Sequence, residues 1–212
     1  EIQGRTFAAV LDEMASIESH CRYRSPRFHR ALASFAQLCD VVAFAHEQRV
    51  MHRDLKPKNM MIANDGGKFI IDWGVAKRLP LIVHDDATTP APIRRQGYTK
   101  TGEVVGTPAY MPPEQASGNI SLHSAASDVY SLGAVLYHLL AGEPPYRGSR
   151  AAIMARIQRE EPKSLRTPLG THGAPPQELV TLCEAAMQRS VKNRTITAIQ
   201  FAQDIREWLD RI

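Results

Sequence analysis

The chain has 212 residues, 43% hydrophobic and 23% charged, with a net charge of +4. These proportions suit a soluble globular protein with one substantial core, and with no run of about 18 apolar residues no membrane-spanning segment is expected. The basic residues are spread thinly apart from Arg94, Arg95 and Lys100, without interleaved aromatics, which argues against nucleic acid as a partner; Cys21, Cys39 and Cys183 are odd in number with no C-x-x-C spacing, which argues against a disulfide framework or zinc site and suits a reducing cytoplasm.

The opening Glu1-Ile2-Gln3-Gly4-Arg5 is neither a secretory signal nor an initiator Met, so the chain is expected to be a fragment, a processed product or a misplaced start. The first strong helical pattern is Leu32, Phe35, Leu38, Cys39, Val42 and Ala45, after a break at Ser25-Pro26. Apolar runs at 60–63 and 68–71 flank Asn64-Asp65-Gly66-Gly67 and predict a hairpin with a glycine-rich turn. From about 80 to 105 periodicity vanishes, and a loop of that length is functional or disordered.

Helical spacing returns after Ser127, with Val129, Leu132, Val135, Leu136, Leu139 and Leu140, and stops at Gly142 and Pro144-Pro145. Helices are also expected over 149–159 and 176–189. Ala198, Phe201, Ala202, Ile205, Trp208, Leu209 and Ile212 form one apolar stripe, which reads as packing. Cys39 and Cys183 fall within helical apolar patterns and take the same reading.

The chemistry-bearing stretch is His52-Arg53-Asp54-Leu55-Lys56-Pro57-Lys58-Asn59. Phosphoryl transfer to a hydroxyl requires an acceptor for the hydroxyl proton, hard oxygen ligands for metal ions, and positive charge beside the migrating group. Asp54, Asn59 and Lys56 supply these three types within six residues, and Asp72-Trp73-Gly74 follows thirteen residues beyond Asn59. A carboxylate followed by glycine can present oxygens to a metal while the backbone turns sharply.

H-R-D-L-K-P-x-N followed by D-x-G resembles the catalytic loop and metal-binding motif of the protein kinases, in the Ser/Thr-specific form. Further landmarks come in the family's order. Gly106-Thr107-Pro108-Ala109-Tyr110-Met111-Pro112-Pro113-Glu114 resembles the end of an activation segment, Ser127-Asp128-Val129-Tyr130-Ser131-Leu132-Gly133 the start of the central buried helix, and Arg194 the arginine that pairs with Glu114. The wording Met-Pro-Pro-Glu-Gln-Ala is most like bacterial eukaryotic-like Ser/Thr kinases.

The resemblance implies a mostly α fold, the C-terminal lobe of a protein kinase over 1–212, with a small β-hairpin at the catalytic and metal loops and an activation segment at about 72–114, mobile over 80–104. It implies ATP and Mg²⁺ as cofactors and Ser/Thr-containing proteins as substrates. Asp54 would orient the hydroxyl or take its proton, and Lys56 would neutralise the migrating phosphoryl. Asn59 and Asp72 would ligate Mg²⁺, Met61 would lie under the adenine, and Thr107 would shape the substrate pocket. Arg53 would receive a phosphate placed on Thr99 or Thr101, with Thr88 and Thr89 as lesser candidates. His52 is read as structural, packed beneath Trp73 with its backbone held by Asp128.

The departures from the family are as specific. Trp73 replaces the usual Phe, and the segment from Asp72 to Glu114 is longer than the family norm. Residues 1–6 resemble the end of the hinge, and no G-x-G-x-x-G occurs in the chain. The N-terminal β lobe is therefore expected to be absent, leaving an upper face exposed to a missing lobe or a partner and the chain inactive alone. The alternative reading is a non-catalytic kinase-lobe binding module, or pseudokinase-like scaffold, using the surface around 106–114 and 144–160.

Overall fold

The computed structural model describes residues 2–15, 22–79, 108–166 and 173–212. Cys21, Arg94, Arg95, Lys100, Thr88, Thr89, Thr99, Thr101 and Thr107 lie outside the described residues, as does the stretch 80–104 expected to be mobile. The described residues are mostly helical. Strands β1 (Gly4–Thr6), β3 (Met60–Ala63) and β4 (Lys68–Ile70) form an antiparallel sheet in the order β1-β3-β4. β2 (Val50–Met51) pairs with β5 (Lys77–Arg78), Met51 opposite Lys77. Among the described residues there is no five-stranded sheet.

α4 (Ala125–Ala141) is the centre of the molecule. Every residue from Ser127 to Tyr137 is buried, as the all-round apolar sequence requires. It starts two residues before the predicted Ser127, because Ser124 is the cap and Ser127 the reciprocal partner three positions on. It stops at Gly142, whose φ of 77° suits a residue without Cβ.

α2 (Pro26–Glu47) begins where Ser25 accepts from the Phe28 N–H and Pro26 sets the first turn. Its apolar stripe meets that of α7 (Ala198–Asp210), with Phe35 edge-on to Phe201 at 6.2 Å and Asp40 paired to Arg206 on the rim. α6 (Gln177–Ala186) lies against α4 where Gly133 lacks a side chain; a Cβ there would come within 2.8 Å of Ala186 Cβ. That helix ends three residues short of the predicted 189, because Gln188 and Arg189 turn their carbonyls onto Arg194.

α1 (Phe7–Ala15) is absent from the expectations above. Yet Phe7, Val10, Leu11 and Met14, all buried, have the spacing of one helical face. The remaining helices are α3 (Pro113–Ala116) and α5 (Arg150–Arg159). The free thiols of Cys39 and Cys183 are buried, and burial pushes both upward from the usual thiol range. None of the described helices is long and apolar enough to cross a membrane.

Candidate active site

The site is built on a loop suspended from α4. β2 delivers the chain to His52, and the carboxylate of Asp128, in the first turn of α4, accepts from the backbone N–H groups of His52 and Arg53, each at 2.8 Å. Oδ2 of Asp128 also meets His46 Nε2 at 2.9 Å. A buried carboxylate with both oxygens engaged fixes the loop more firmly than backbone pairing alone, since hydrogen bonds to charge are the stronger kind. Arg53 is held in the left-handed region (φ 70°), and its carbonyl accepts from Gln115 Nε2 at 2.9 Å. A non-glycine residue keeps that conformation only where its surroundings impose it.

Beyond Arg53 the chain presents Asp54, whose side chain is 37% exposed. Its Oδ2 accepts from Lys56 Nζ at 2.5 Å and from Asn59 Nδ2 at 3.3 Å. Asn59, buried, also donates from Nδ2 to the Asp54 carbonyl at 2.9 Å. With its amide nitrogen so committed, Asn59 has its amide oxygen free to face a cation. Leu55 and Pro57 are buried between these polar residues and anchor the loop to the core.

The β3–β4 hairpin carries the chain from Asn59 to Asp72. Gly66 turns it with φ 90°, and Asp65 Oδ1 accepts from the Gly67 N–H. Met61 lies in β3, half-buried, opposite Thr6 of β1 and Phe69 of β4. The Ile71 N–H donates to the Asn59 carbonyl at 2.9 Å, tying the two loops together. Asp72 follows, exposed and in the left-handed region (φ 64°). Two of the three non-glycine residues with positive φ among those described, Arg53 and Asp72, are thus candidate site residues.

Trp73 is anchored twice. Its Nε1 donates to the Ile70 carbonyl at 2.8 Å, and its ring meets His52 edge-on at 4.6 Å. His52 in turn bonds through Nε2 to the Ile71 carbonyl at 2.9 Å, and its Nδ1 accepts from the Asp54 N–H at 3.2 Å. The imidazole is therefore engaged at both nitrogens in holding backbone.

Asp54, Lys56, Asn59 and Arg53 are brought together on one loop, with Asp72 joined to it through the hairpin. Thr107 and the two threonines at 99 and 101 lie outside the described residues. His46 and His123 were not among the residues singled out in the sequence, and Gln115 stood there only within the Met-Pro-Pro-Glu-Gln-Ala wording; each reaches the loop through the tertiary fold. Arg53 Nη2 lies 3.4 Å from His123 Nδ1, and its Nη1 donates to the Val75 carbonyl at 3.4 Å.

No group of three or more His, Cys, Asp or Glu side chains among the described residues is placed to hold a metal by itself. The oxygens of Asn59 and Asp72 do fit a hard cation that keeps water and takes its other ligands from phosphates, the usual habit of Mg²⁺. Exposed apolar side chains sit nearby, with Phe69 41% and Val75 52% accessible.

The sequence matches the Protein kinase domain family over residues 8–205. It is 35% identical over 180 residues to the serine/threonine-protein kinase PknD of Protochlamydia amoebophila, covering 83% of this chain and 18% of that protein. It is 36% identical over 177 residues to the serine/threonine-protein kinase PknB of Mycolicibacterium smegmatis, covering 83% of this chain and 26% of the relative. Identity to PknB of Mycobacterium tuberculosis is 33% over the same length. The chain therefore spans about a quarter or less of the length of these relatives.

Proposed function

Because the chain belongs to the protein kinase family, we propose that it carries the catalytic loop of a protein Ser/Thr kinase, transferring a phosphoryl group from ATP to Ser or Thr hydroxyls of other proteins. The observation that carries this reading is the convergence of Lys56 Nζ and Asn59 Nδ2 on one oxygen of Asp54. The relatives named as serine/threonine-protein kinases point the same way.

In this reading Asp54 accepts the substrate hydroxyl's hydrogen bond and orients its oxygen toward the γ-phosphorus. Lys56, already on Asp54, stands beside the phosphoryl as charge develops on its oxygens. Asn59 and Asp72 hold Mg²⁺, which when bound bridges and neutralises the phosphates of ATP. Met61 gives the adenine an apolar floor, and Thr107 lines the pocket for the acceptor hydroxyl. Arg53 takes a phosphate on Thr99 or Thr101, and the segment 72–114 is the activation segment of a single lobe over 1–212. Catalysis of this kind rests on positioning and electrostatics, which suits a loop tied so firmly to Asp128.

The 212 residues contain no glycine-rich phosphate loop. We therefore place the roof of the nucleotide site outside them, packed near Phe69 and Val75, and expect these residues alone to turn over poorly. Buried free thiols accord with the cytoplasm as the working compartment. The test is Mg²⁺-dependent transfer of labelled γ-phosphate to a generic Ser/Thr protein, comparing the product of the whole gene with the 212 residues. Transfer by the whole product that survives Asp54→Asn would refute the assignment of Asp54. Robust Asp54-dependent turnover by the 212 residues alone would refute the placement of the roof.

A further inference from the structure

β3 turns successive side chains to opposite faces of its sheet. Met61, read above as the adenine floor, is thus followed by Ile62 on the other face, and Ile62 stands opposite Arg5 of β1 in register. On that second face lies a cavity of about 480 Å³, walled by α1, the start of α2 and the sheet. Its size is that of a small-ligand or short-peptide site.

Helical spacing decides what each wall contributes. On α1, Val10, Glu13 and Met14 line the cavity, three and four positions apart and so on one face. Val10 and Met14 are buried, and with the partly buried Ile62 they make an apolar floor. On α2 the lining residues include Arg27, Arg30 and Ala31, again one face, and both arginines are exposed. Glu13 is already committed, since both its oxygens accept from Arg5 Nη1 at 2.8 Å. Arg27 and Arg30 have no carboxylate partner among the described residues, and the first turn of α2 holds no acidic residue.

Two unpaired cations three positions apart repel, and near the N-terminus of a helix the macrodipole opposes them as well. An anion placed between them would turn both into favourable contacts. The apolar floor says what kind of anion. A free phosphate has no use for Met14 and Ile62, and among the described residues no aromatic ring lines the cavity for a nucleobase to stack on. A lipid surface takes an apolar face that can sink into it, not the walls of a groove. Carboxylates alternating with aliphatic side chains answer both walls.

We propose that this cavity docks an acidic, aliphatic peptide segment of a partner protein, its carboxylates on Arg27 and Arg30 and its aliphatic side chains on the floor of Val10, Met14 and Ile62. Arginine suits the role because its planar fork takes a carboxylate through two parallel bonds. An extended segment sends alternate side chains to opposite sides. Lying between the helices, it turns one row to the arginines of α2 and the other to the apolar face of α1. Glutamates two apart stand about 7 Å from each other, close to the roughly 5–6 Å between residues three apart on a helix. The partner is held on the face of β3 away from Met61, so the inference goes beyond the reading of Asp54 and does not rest on it.

The experiment titrates the product of the whole gene into a dye-labelled hexapeptide of alternating glutamate and leucine, followed by fluorescence anisotropy. The controls are the same peptide with lysine for glutamate and with serine for leucine. The expected result is saturable binding below about 1 mM. Binding should be about tenfold weaker or worse for either control, and for Arg27→Glu combined with Arg30→Glu. Both arginines are exposed and acidic residues are favoured at the start of a helix, so the reversed protein should fold, as circular dichroism will show. Arg27→Gln with Arg30→Gln gives the same direction of change should it not. No saturable binding, or binding that the charge changes leave intact, overturns the inference. Equal binding of the serine peptide makes the surface a general anion contact and overturns it too. So does binding of phosphatidylserine vesicles through the two arginines where the peptide fails to bind.

Discussion

The guanidinium of Arg194 meets both carboxylate oxygens of Glu114, at 2.8 and 2.7 Å, across 80 positions of sequence. Neither side chain reaches solvent, at 0% and 2% exposure, and Arg194 also covers the ring of Tyr130 at 5.1 Å. The pair joins α3 to the turn before α7, so the surface just beyond Pro108 is positioned from beneath.

Removing one partner should strand the other as a buried charge. Arg194→Met is expected to lower the unfolding free energy by about 3–5 kcal/mol, read by urea denaturation. Burial alone would raise the Glu114 carboxyl, but the hydrogen bonds and charge of Arg194, with help from Ser127, bring it below the usual range. A depressed carboxylate contributes stability that is present above its unfolded value, about 4.3, and is lost as pH falls through the folded one. Arg194→Met should remove most of that acid-side loss, because burial, the largest influence, would then be opposed only by the hydrogen bonds from Ser127 and from the Glu114 backbone.

Asp128 holds the loop that follows β2 through two backbone N–H groups and His46. Asp128→Asn keeps the shape, but its amide nitrogen must then face a donor. The expected loss is about 3 kcal/mol or more, since hydrogen bonds to charged groups are worth roughly 1.5–3 each. Hydrogen exchange distinguishes this from general softening: the amides of His52 and Arg53 should lose protection first, while those in α2 keep theirs.

Trp73→Phe tests the anchor beside Asp72. Phe can keep the contact with His52 but leaves the Ile70 carbonyl without its 2.8 Å partner. The expected cost is about 1 kcal/mol in urea denaturation followed by circular dichroism. A variant as stable as the parent would show that the indole N–H contributes nothing beyond bulk.

The sequence made the lobe legible because its signals are local. The stripes of α2, α4 and α7, the turn at Gly66 and the loop from His52 to Asn59 can each be read within a few residues. What could not be read is what long-range packing decides. His46 reaches Asp128 across 82 positions and His123 reaches Arg53 across 70, and neither histidine stands in any pattern. The ends of helices shifted for the same reason. Ser127 looks like a cap in sequence, but Ser124 precedes it and takes that role, and α6 stops early because Arg194 claims the next carbonyls. α1 is a different case, since its apolar spacing was there to be seen.

His138 supplies a pH dependence that can be separated from that of Glu114. It lies near the end of α4, with Tyr110 hydroxyl to Nδ1 at 2.7 Å and the two rings stacked at 6.1 Å. Burial, the largest influence, lowers its value from 6.5 to about 4, with Asp12 pulling the other way. In the unfolded chain this histidine takes a proton below 6.5, whereas in the folded protein it resists until about 4. Between these limits the unfolded state binds more protons, so stability is full above the upper limit and falls as the solution is acidified through the window. The size is about 3 kcal/mol, from roughly 1.4 kcal/mol per pH unit. The acid loss from Glu114 begins only near the bottom of this window, so the two slopes follow one another. His138→Gln keeps an acceptor for Tyr110 and cannot titrate. It should flatten the upper slope and leave the lower one, in unfolding free energies measured at half-unit steps from pH 7 to 3.5. Wild-type stability that stayed level between pH 6.5 and 4 would rule out a buried neutral imidazole at this position.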